Sequence, residues 1–280
     1  MKWQGRKGSS NIEDRRSSGG SMGLKLGLPG VLIVGFIYLM MGGNPISLIP
    51  MLGGATTQEY VESEGDQEKM EFLSVMLKDT EDVWTQIFNE YNMQYDPAKL
   101  VVFHAGVKSA CGQASAQMGP FYCPLDQSVY IDLDFFDELK HKFGAPGDFA
   151  ISYVLAHEIG HHVQDLLGIL GEKQQLRGKL SETEYNKVSV AIELQADYLA
   201  GVFASRVEEK GYLDVGDIEE AIKAAESVGD DVLQKKYQGT VVPDSFTHGS
   251  AEARKRWFMK GYEAGDLSQG DTFSYSYDDL

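Results

Sequence analysis

Five consecutive residues, His157-Glu158-Ile159-Gly160-His161, restrict the fold more than any other part of the sequence. They follow the apolar run Val154-Leu155-Ala156, so the segment is predicted to be a largely buried helix. Asp148 is the expected N-cap of this helix, and Gly168 marks its expected end. Two histidines four residues apart project from the same face of such a helix, and Gly160 leaves room for a second backbone to pack closely.

The spacing of the two histidines suits a metal site. Two imidazoles at this spacing can bind one Zn²⁺ at about 2.0–2.1 Å each. Glu158 follows the first histidine directly, so its carboxylate can take a proton from a water on the metal and pass it to a leaving amine. The motif therefore predicts a zinc ion with ligands His157 and His161 and with Glu158 as the general base. Two histidines that share a surface helix by chance are the alternative.

A third ligand is expected from the next strong helix. This helix is predicted to begin at Ser181, with Glu184 at the spacing of a capping box. Glu193 and Asp197 lie one turn apart in apolar surroundings, where a bare carboxylate is costly and a metal removes the cost. We predict Glu193 as the third ligand and Asp197 as the acceptor for a ligand imidazole N–H. The exchanged assignment and a salt-bridged pair on a solvated face are the alternatives.

Three polar residues surround the end of the motif. His162 projects about 100° away from His161 and is interpreted as a supporting or surface residue. Gln164 and Asp165 are placed to orient a ligand imidazole.

A long uncharged stretch follows the basic N-terminus. No charged residue lies between Leu26 and Glu59. A helix over residues 26–43 would span roughly 27 Å, close to the hydrocarbon core of a bilayer. The basic residues before it predict a single-pass anchor in the cell membrane, with the N-terminus in the cytoplasm and the rest of the chain outside. A cleaved signal peptide and a buried hairpin helix of a soluble protein are the alternatives.

The domain organisation follows from these features. Helical patterning is visible between Met70 and Tyr91, and strands are predicted at residues 100–103 and 129–133. The predicted parts are a disordered basic tail (1–25), the anchor (26–43), a linker (44–65), the catalytic domain (66–270) and a flexible tail (271–280).

Charge and cysteine content limit the partners. The formal net charge of −17 predicts that the chain repels nucleic acid, so no nucleic-acid partner is expected. We interpret the acidity as a solubility feature, with a preference for basic substrates as the alternative.

Cys111 and Cys123 are too few for a cysteine-rich zinc site. They are expected to form a disulfide if the domain is extracytoplasmic, and to be buried thiols if it is cytosolic.

The segment His157–Gln164, followed by Glu193-Leu194-Gln195-Ala196-Asp197, resembles the zincin metallopeptidases that use a glutamate as third ligand. Nearly the whole chain is similar to a bacterial family of small, membrane-anchored neutral zinc metallopeptidases. The other matching segments are Lys2-Trp3 with Arg15-Arg16, Ala110-Cys111-Gly112, residues 119–124, Tyr130-Ile131-Asp132, Phe143-Gly144, residues 147–150, residues 247–250 and Arg256-Trp257-Phe258.

The resemblance implies an α+β zincin-like domain, mostly helical, with a small twisted sheet that packs on the metal helix. It also implies a zinc-dependent endopeptidase that hydrolyses peptide bonds by direct attack of water. In such a fold the edge strand of the sheet pairs with an extended peptide substrate. Residues 119–123 are the candidate edge strand, which a disulfide between Cys111 and Cys123 would hold in place.

His248 is the candidate donor for the oxygen that becomes negatively charged during hydrolysis. It precedes a helix predicted to begin near Ser250, and thermolysin-like enzymes use a downstream histidine in this role. Asp244 lies close enough in the sequence to orient it. Packing at the helix start is the alternative role for His248, and Tyr122 or Tyr130 are alternative donors.

Two other functions are compatible with the sequence. The domain can be a catalytically weak zinc-binding scaffold that acts as a partner of envelope proteins, or it can hydrolyse a non-protein amide such as a cell-wall crosslink. The presence of Glu158 favours an enzyme, because a scaffold needs ligands for its metal but needs no base.

Overall fold

The computed structural model describes residues 1–18, 62, 64–115 and 118–280 of the chain. The predicted anchor (26–43) and nearly all of the predicted linker (44–65) lie outside the described residues. Within the described ranges, no helix combines the length and the apolar character that a membrane crossing requires.

The described part of the chain is mostly helical. Its helices are α1 (Glu64–Glu90), α2 (Asp134–His141), α3 (Asp148–Leu166), α4 (Ile169–Gln174), α5 (Glu182–Glu209), α6 (Asp217–Ser227), α7 (Asp230–Gln238) and α8 (Ala251–Ala264). Its strands are β1 (Ile12–Asp14), β2 (Lys99–Phe103), β3 (Gly106–Ser109), β4 (Gly112–Ser115), β5 (Phe121–Cys123) and β6 (Ser128–Asp132). The α+β class with a small sheet is therefore confirmed.

The sheet has the strand order β1-β2-β6-β5. Its first three strands are parallel, and β5 pairs with β6 in the antiparallel direction at the edge. Strands β2 and β6 coincide with the two predicted strands. Strands β3 and β4 form a separate hairpin, and the disulfide between Cys111 and Cys123 ties the turn of this hairpin to the end of β5.

Helix α3, which carries the histidine motif, lies at the centre of the domain. It packs against α5 and α6, and also against α1 and the strands β5 and β6. The prediction that Asp148 caps this helix was wrong, because Asp148 is its first helical residue and accepts a hydrogen bond from the indole N–H of Trp3 at 2.9 Å. A carboxylate oxygen of Glu220 on α6 accepts the free N–H of Phe149 instead, at 3.1 Å.

Residues 1–18 are part of the domain, so the prediction of a disordered tail was wrong for them. Trp3 is only 4% exposed, and Ile12 lies opposite Leu100 where β1 extends the sheet. The side chain of Arg16 forms an ion pair with Glu62 at 2.7 Å. These residues are held in place by the sheet edge, which pairs with β1, and by the start of α3, which accepts the indole N–H of Trp3.

This packing has a consequence for topology. The described residues 1–18, 64–115 and 118–280 form one packed unit and therefore lie on the same side of any membrane. The predicted single-pass arrangement would place them on opposite sides and does not fit the packing. The membrane location itself depends on residues outside the described part and stays a prediction.

The C-terminal residues also pack on the domain, and the predicted flexible tail (271–280) was wrong. Thr272 is fully buried and donates a hydrogen bond to the carbonyl oxygen of Ala191 on α5 at 2.6 Å. The carbonyl oxygen of Leu280 accepts a hydrogen bond from the indole N–H of Trp257 at 3.1 Å.

Glycines bring three helices into close contact. A Cβ atom at Gly160 on α3 would lie 3.0 Å from the carbonyl oxygen of Ala196 on α5. A Cβ atom at Gly261 on α8 would lie only 1.9 Å from the carbonyl oxygen of Tyr198 on α5. Side chains at these positions would push the helices apart, so the glycines fix the spacing of α3, α5 and α8.

Replacing Trp3 tests whether the N-terminal residues belong to the domain. We expect Trp3→Ala to reduce the free energy of unfolding by about 3–5 kcal/mol, because it removes a buried ring from the core. The neighbouring exposed residue supplies the control, since Gln4→Ala should change stability by less than about 0.5 kcal/mol. Urea unfolding of the full chain gives both values. Equal stabilities for the two variants would contradict the packing of residues 1–18.

Candidate metal centre

Helices α3 and α5 bring together three side chains that could hold a metal ion. The imidazole rings of His157 and His161 lie on one face of α3, with their centroids 4.8 Å apart. Glu193 projects from α5 between them. Its two carboxylate oxygens lie 3.1 Å from Nε2 of His157 and 3.5 Å from Nε2 of His161.

These distances fit one zinc ion. Ligand atoms that lie about 2.0–2.1 Å from a tetrahedral Zn²⁺ are separated from each other by roughly 3.3 Å. The donor atoms of His157, His161 and Glu193 all lie within 4.8 Å of one another. Two imidazoles and one carboxylate are also the donor set of catalytic zinc sites, which keep a fourth position for water or substrate.

The outer nitrogen of each imidazole has its own acceptor. Nδ1 of His157 lies 2.8 Å from a carboxylate oxygen of Asp197, and Nδ1 of His161 lies 2.8 Å from Oε1 of Gln164. Acceptors at both Nδ1 atoms favour the tautomers whose Nε2 lone pairs point towards Glu193. The structure thus places Glu193 beside the Nε2 atoms and Asp197 on the far side of His157.

The amide of Gln164 is itself held in place. Its nitrogen donates to the carbonyl oxygen of Ile192 at 2.8 Å and to the side-chain oxygen of Gln195 at 2.9 Å. The nitrogen of Gln195 donates in turn to the carbonyl oxygen of Gly270 at 2.7 Å. A chain of hydrogen bonds therefore connects His161 with α5 and with the C-terminal residues.

Buried charges dominate the electrostatics of the site. Burial lowers the pKa of His157, but the carboxylates of Asp197 and Glu193 outweigh burial and raise it to about 10. Burial acts against ionisation of Glu193, but the two imidazoles hold the pKa of this carboxyl well below its usual range. The acidic neighbours thus favour the protonated form of His157, and the two imidazoles favour the ionised form of Glu193.

Glu158 is positioned beside the ligands and is available for chemistry. Its side chain is mostly buried, with a residue exposure of 8%. Within the described residues it forms no hydrogen bond or ion pair that would occupy its carboxylate. A carboxylate that is close to the metal site but has no structural partner suits the role of a base.

His248 is oriented by Asp230, and the prediction that Asp244 orients it was wrong. Nδ1 of His248 lies 3.3 Å from a carboxylate oxygen of Asp230, whereas Asp244 uses its backbone carbonyl to accept a hydrogen bond from Asn186. The hydrogen bond with Asp230 raises the pKa of His248, and burial opposes this effect. The ring is half-exposed, and its charge contributes to the lowered pKa of Glu193, after the larger effects of burial and of the two ligand imidazoles.

Asp230 also fixes the loop around His248. One of its carboxylate oxygens accepts hydrogen bonds from the backbone N–H groups of Thr247, His248 and Gly249 at 2.7, 2.6 and 2.9 Å. Asp230 is the first residue of α7, eighteen positions before His248. The sequence did not reveal this pairing because the two residues meet only in the tertiary structure.

Tyr122 connects the edge strand to the metal helix. Its hydroxyl group lies 2.9 Å from a carboxylate oxygen of Asp165 and 3.0 Å from Nδ1 of His162. His162 is buried, and its Nε2 lies 2.7 Å from the carbonyl oxygen of Asp96.

The hydroxyl group of Tyr130 donates to Asp126 at 2.8 Å. Both tyrosines therefore have structural partners.

Sequence reasoning missed Arg254, which is only 4% exposed. Its guanidinium group donates to both carboxylate oxygens of Asp197, at 2.8 and 3.0 Å. A signal was present in the sequence, because Arg254 lies three and four residues before Trp257 and Phe258 and therefore shares their buried helix face. A basic residue on an apolar helix face indicates a buried partner.

A second group of potential ligands is formed by His104, Asp132 and Asp134. The carboxylate of Asp132 already accepts the backbone N–H groups of Ala105 and Asp134, at 2.7 and 2.9 Å. The other two side chains of the group are exposed. Hydrogen bonds to the backbone explain this cluster without a metal.

The fold and the site define a class: an α+β protein in which a histidine motif on a buried helix and a glutamate from a second helix form a candidate zinc centre. The chain belongs to the family described as "Putative neutral zinc metallopeptidase", which matches residues 1–273.

Two relatives illustrate the range of the family. "Uncharacterized protein YpfJ" of Escherichia coli K12 is 44% identical over 288 aligned residues, which cover 99% of this chain and 100% of the relative. "Uncharacterized protein Rv2575" of Mycobacterium tuberculosis H37Rv is 43% identical over 204 residues, which cover 69% of this chain and 66% of the relative. No solved structure matches the chain.

The electrostatics predict how zinc binding depends on pH. The raised pKa of His157 favours a proton that competes with the metal, so the apparent affinity should increase with pH, by up to about tenfold per unit for each proton displaced. Competition with a chromophoric chelator between about pH 6 and 8 gives the slope. His104→Ala is the control and should keep one zinc per chain and the same slope. An affinity that does not change with pH would contradict the assignment.

Proposed function

We propose that the protein is a zinc-dependent endopeptidase that hydrolyses peptide bonds with Glu158 as the general base. One observation carries the proposal: the ligand-type atoms of His157, His161 and Glu193 converge beside a glutamate that has no structural partner within the described residues. Membership in a family described as zinc metallopeptidases supports it.

Each residue of the site has a separate role in the proposed hydrolysis. His157, His161 and Glu193 would hold a zinc ion, which would supply Lewis acidity to the substrate carbonyl and to water. Glu158 removes the proton from the attacking water and then delivers it to the leaving amine. His248, held at Nδ1 by Asp230, keeps Nε2 available to donate a hydrogen bond to the carbonyl oxygen as it becomes negative.

An extended peptide is the proposed substrate. Strand β5 ends the sheet on the side of α3, and its outer edge is not paired with any strand in the described part of the chain. An extended peptide can add to such an edge by backbone hydrogen bonds. The contacts of Tyr122 with α3 and the disulfide at Cys123 hold this strand in a fixed position beside the metal helix.

Glu158→Gln is the decisive test of the enzyme. We expect it to keep the zinc content of the wild type and to lower kcat/KM by about 10²–10⁴-fold, because the amide cannot accept the proton of the water. Cleavage of a diverse library of quenched peptides by the full chain provides the measurement. The full chain is needed because residues 1–18 belong to the domain. Glu172→Gln, on the exposed surface of α4, is the matched control and should retain full activity.

The outcome separates the enzyme from a zinc-binding scaffold. Cleavage by the wild type and the Glu172→Gln variant, but not by Glu158→Gln, supports the peptidase. Zinc binding without cleavage by any of the three proteins would refute it and favour the scaffold. Equal cleavage by all three would show that Glu158 is not the base.

His248 is tested separately. We expect His248→Ala to lower kcat by about 10²-fold with little change in KM, because the lost hydrogen bond is stronger in the transition state than in the bound substrate. Its zinc content should not change. His141→Ala replaces an exposed histidine at the end of α2 and serves as the control. A rise in KM without a fall in kcat would assign His248 to substrate binding instead.

A further inference from the structure

Asp197 has two possible roles at the candidate metal centre, as a support for His157 or as a ligand. Its carboxylate is fully buried and lies one helical turn from Glu193, on the same face of α5. A carboxylate at this place can support His157 or bind the metal itself. Some other group must determine which of the two it does.

The contacts of Asp197 identify this group. Oδ2 accepts a hydrogen bond from Nε of Arg254 at 2.8 Å, and Oδ1 accepts one from Nη2 of Arg254 at 3.0 Å. Oδ1 also lies 2.5 Å from the hydroxyl group of Tyr153 and 2.8 Å from Nδ1 of His157. The guanidinium group therefore forms a bidentate ion pair with both carboxylate oxygens. Such a pair is the strongest and most directional contact between an arginine and a carboxylate.

The burial of Arg254 indicates a role beyond packing. A guanidinium group loses its hydration when it is buried, and an apolar side chain of similar volume often gives equal or greater stability. Arg254 nevertheless lies in the interior, and its Nη2 atom also donates to the hydroxyl group of Tyr153 at 3.1 Å. The charged side chain thus completes a closed network around Asp197.

We propose that Arg254 is a positioning residue that selects the ligands of the metal centre. It holds Asp197 against Nδ1 of His157 and keeps its carboxylate away from the metal, so that Glu193 completes the site. This inference rests on the zinc centre of the proposed function.

The mechanism of selection is electrostatic. Asp197 cannot turn towards the metal without leaving the guanidinium group buried and unpaired, which is very unfavourable. A carboxylate that accepts donors on both oxygens also presents only an acceptor to His157. The imidazole must therefore carry its proton on Nδ1 and direct the lone pair of Nε2 to the metal.

A set of three variants tests the proposal: Arg254→Met, Asp197→Asn and the combination of both. The readouts are the dissociation constant for Zn²⁺ and the visible absorption of the Co²⁺-loaded protein, which reports the ligand set. Lys255→Met is the control, because this exposed neighbour on α8 bonds only Glu226 among the described residues. The full chain is used throughout.

We expect Arg254→Met to change the Co²⁺ spectrum, because the released carboxylate turns to the metal. Asp197→Asn should weaken zinc binding by about 10–100-fold, since it removes the charged support of His157 and leaves a buried cation beside the metal. The double variant should recover the wild-type spectrum and bind zinc at least about tenfold more tightly than Asp197→Asn. Its amide still accepts the Nδ1 proton of His157, and no buried charge lacks a partner.

Two results would overturn the proposal. A folded Arg254→Met protein whose Co²⁺ spectrum equals that of Lys255→Met would show that Arg254 has only a structural role. If Arg254→Met does not fold, the comparison of Asp197→Asn with the double variant decides, and an equal or weaker zinc affinity of the double variant rejects the proposal. Peptide cleavage is not a readout, so a failure of the proposed peptidase activity would remain distinguishable.

Discussion

The contact between α3 and α5 is the constraint on which the candidate metal centre depends. Gly160 allows the backbone of α3 to approach Ala196 so closely that a Cβ atom would lie 3.0 Å from its carbonyl oxygen. Glu193 and Asp197 lie on either side of this contact, so they reach the imidazoles on α3 with short side chains. Longer side chains on more distant helices would lose more conformational entropy when they are fixed in one geometry.

The buried charges of the site compensate one another. Arg254 and His157 lower the pKa of Asp197 to about 2, although burial acts in the opposite direction. Asp197 is thus paired with the guanidinium group of Arg254, whereas Glu193 faces the two imidazoles of His157 and His161. Because an unpaired buried carboxylate is very unfavourable, zinc binding by Glu193 would also stabilise the folded chain.

The sequence predicted those parts of the site that depend on local geometry. The helical repeat alone places His157 near His161, and the capping box of Ser181 with Glu184 marks the start of α5. The sequence did not predict Asp230 beside His248 or the packing of residues 1–18, because these contacts join distant parts of the chain. No local pattern distinguishes a carboxylate that caps a remote loop from one that faces water.

Helix α8 positions two residues with different proposed roles, His248 as a hydrogen-bond donor and Arg254 as the partner of Asp197. Ser250 caps this helix, so His248 lies just before its first turn and Arg254 lies within it. Asp230 fixes the loop before the helix, and Asp197 fixes the helix itself. A displacement of α8 would therefore move the candidate donor and the support of His157 together, while the ligands on α3 stayed in place. The close approach of Gly261 to Tyr198 packs α8 directly on α5, which carries Glu193, and so aligns both elements with the candidate metal site.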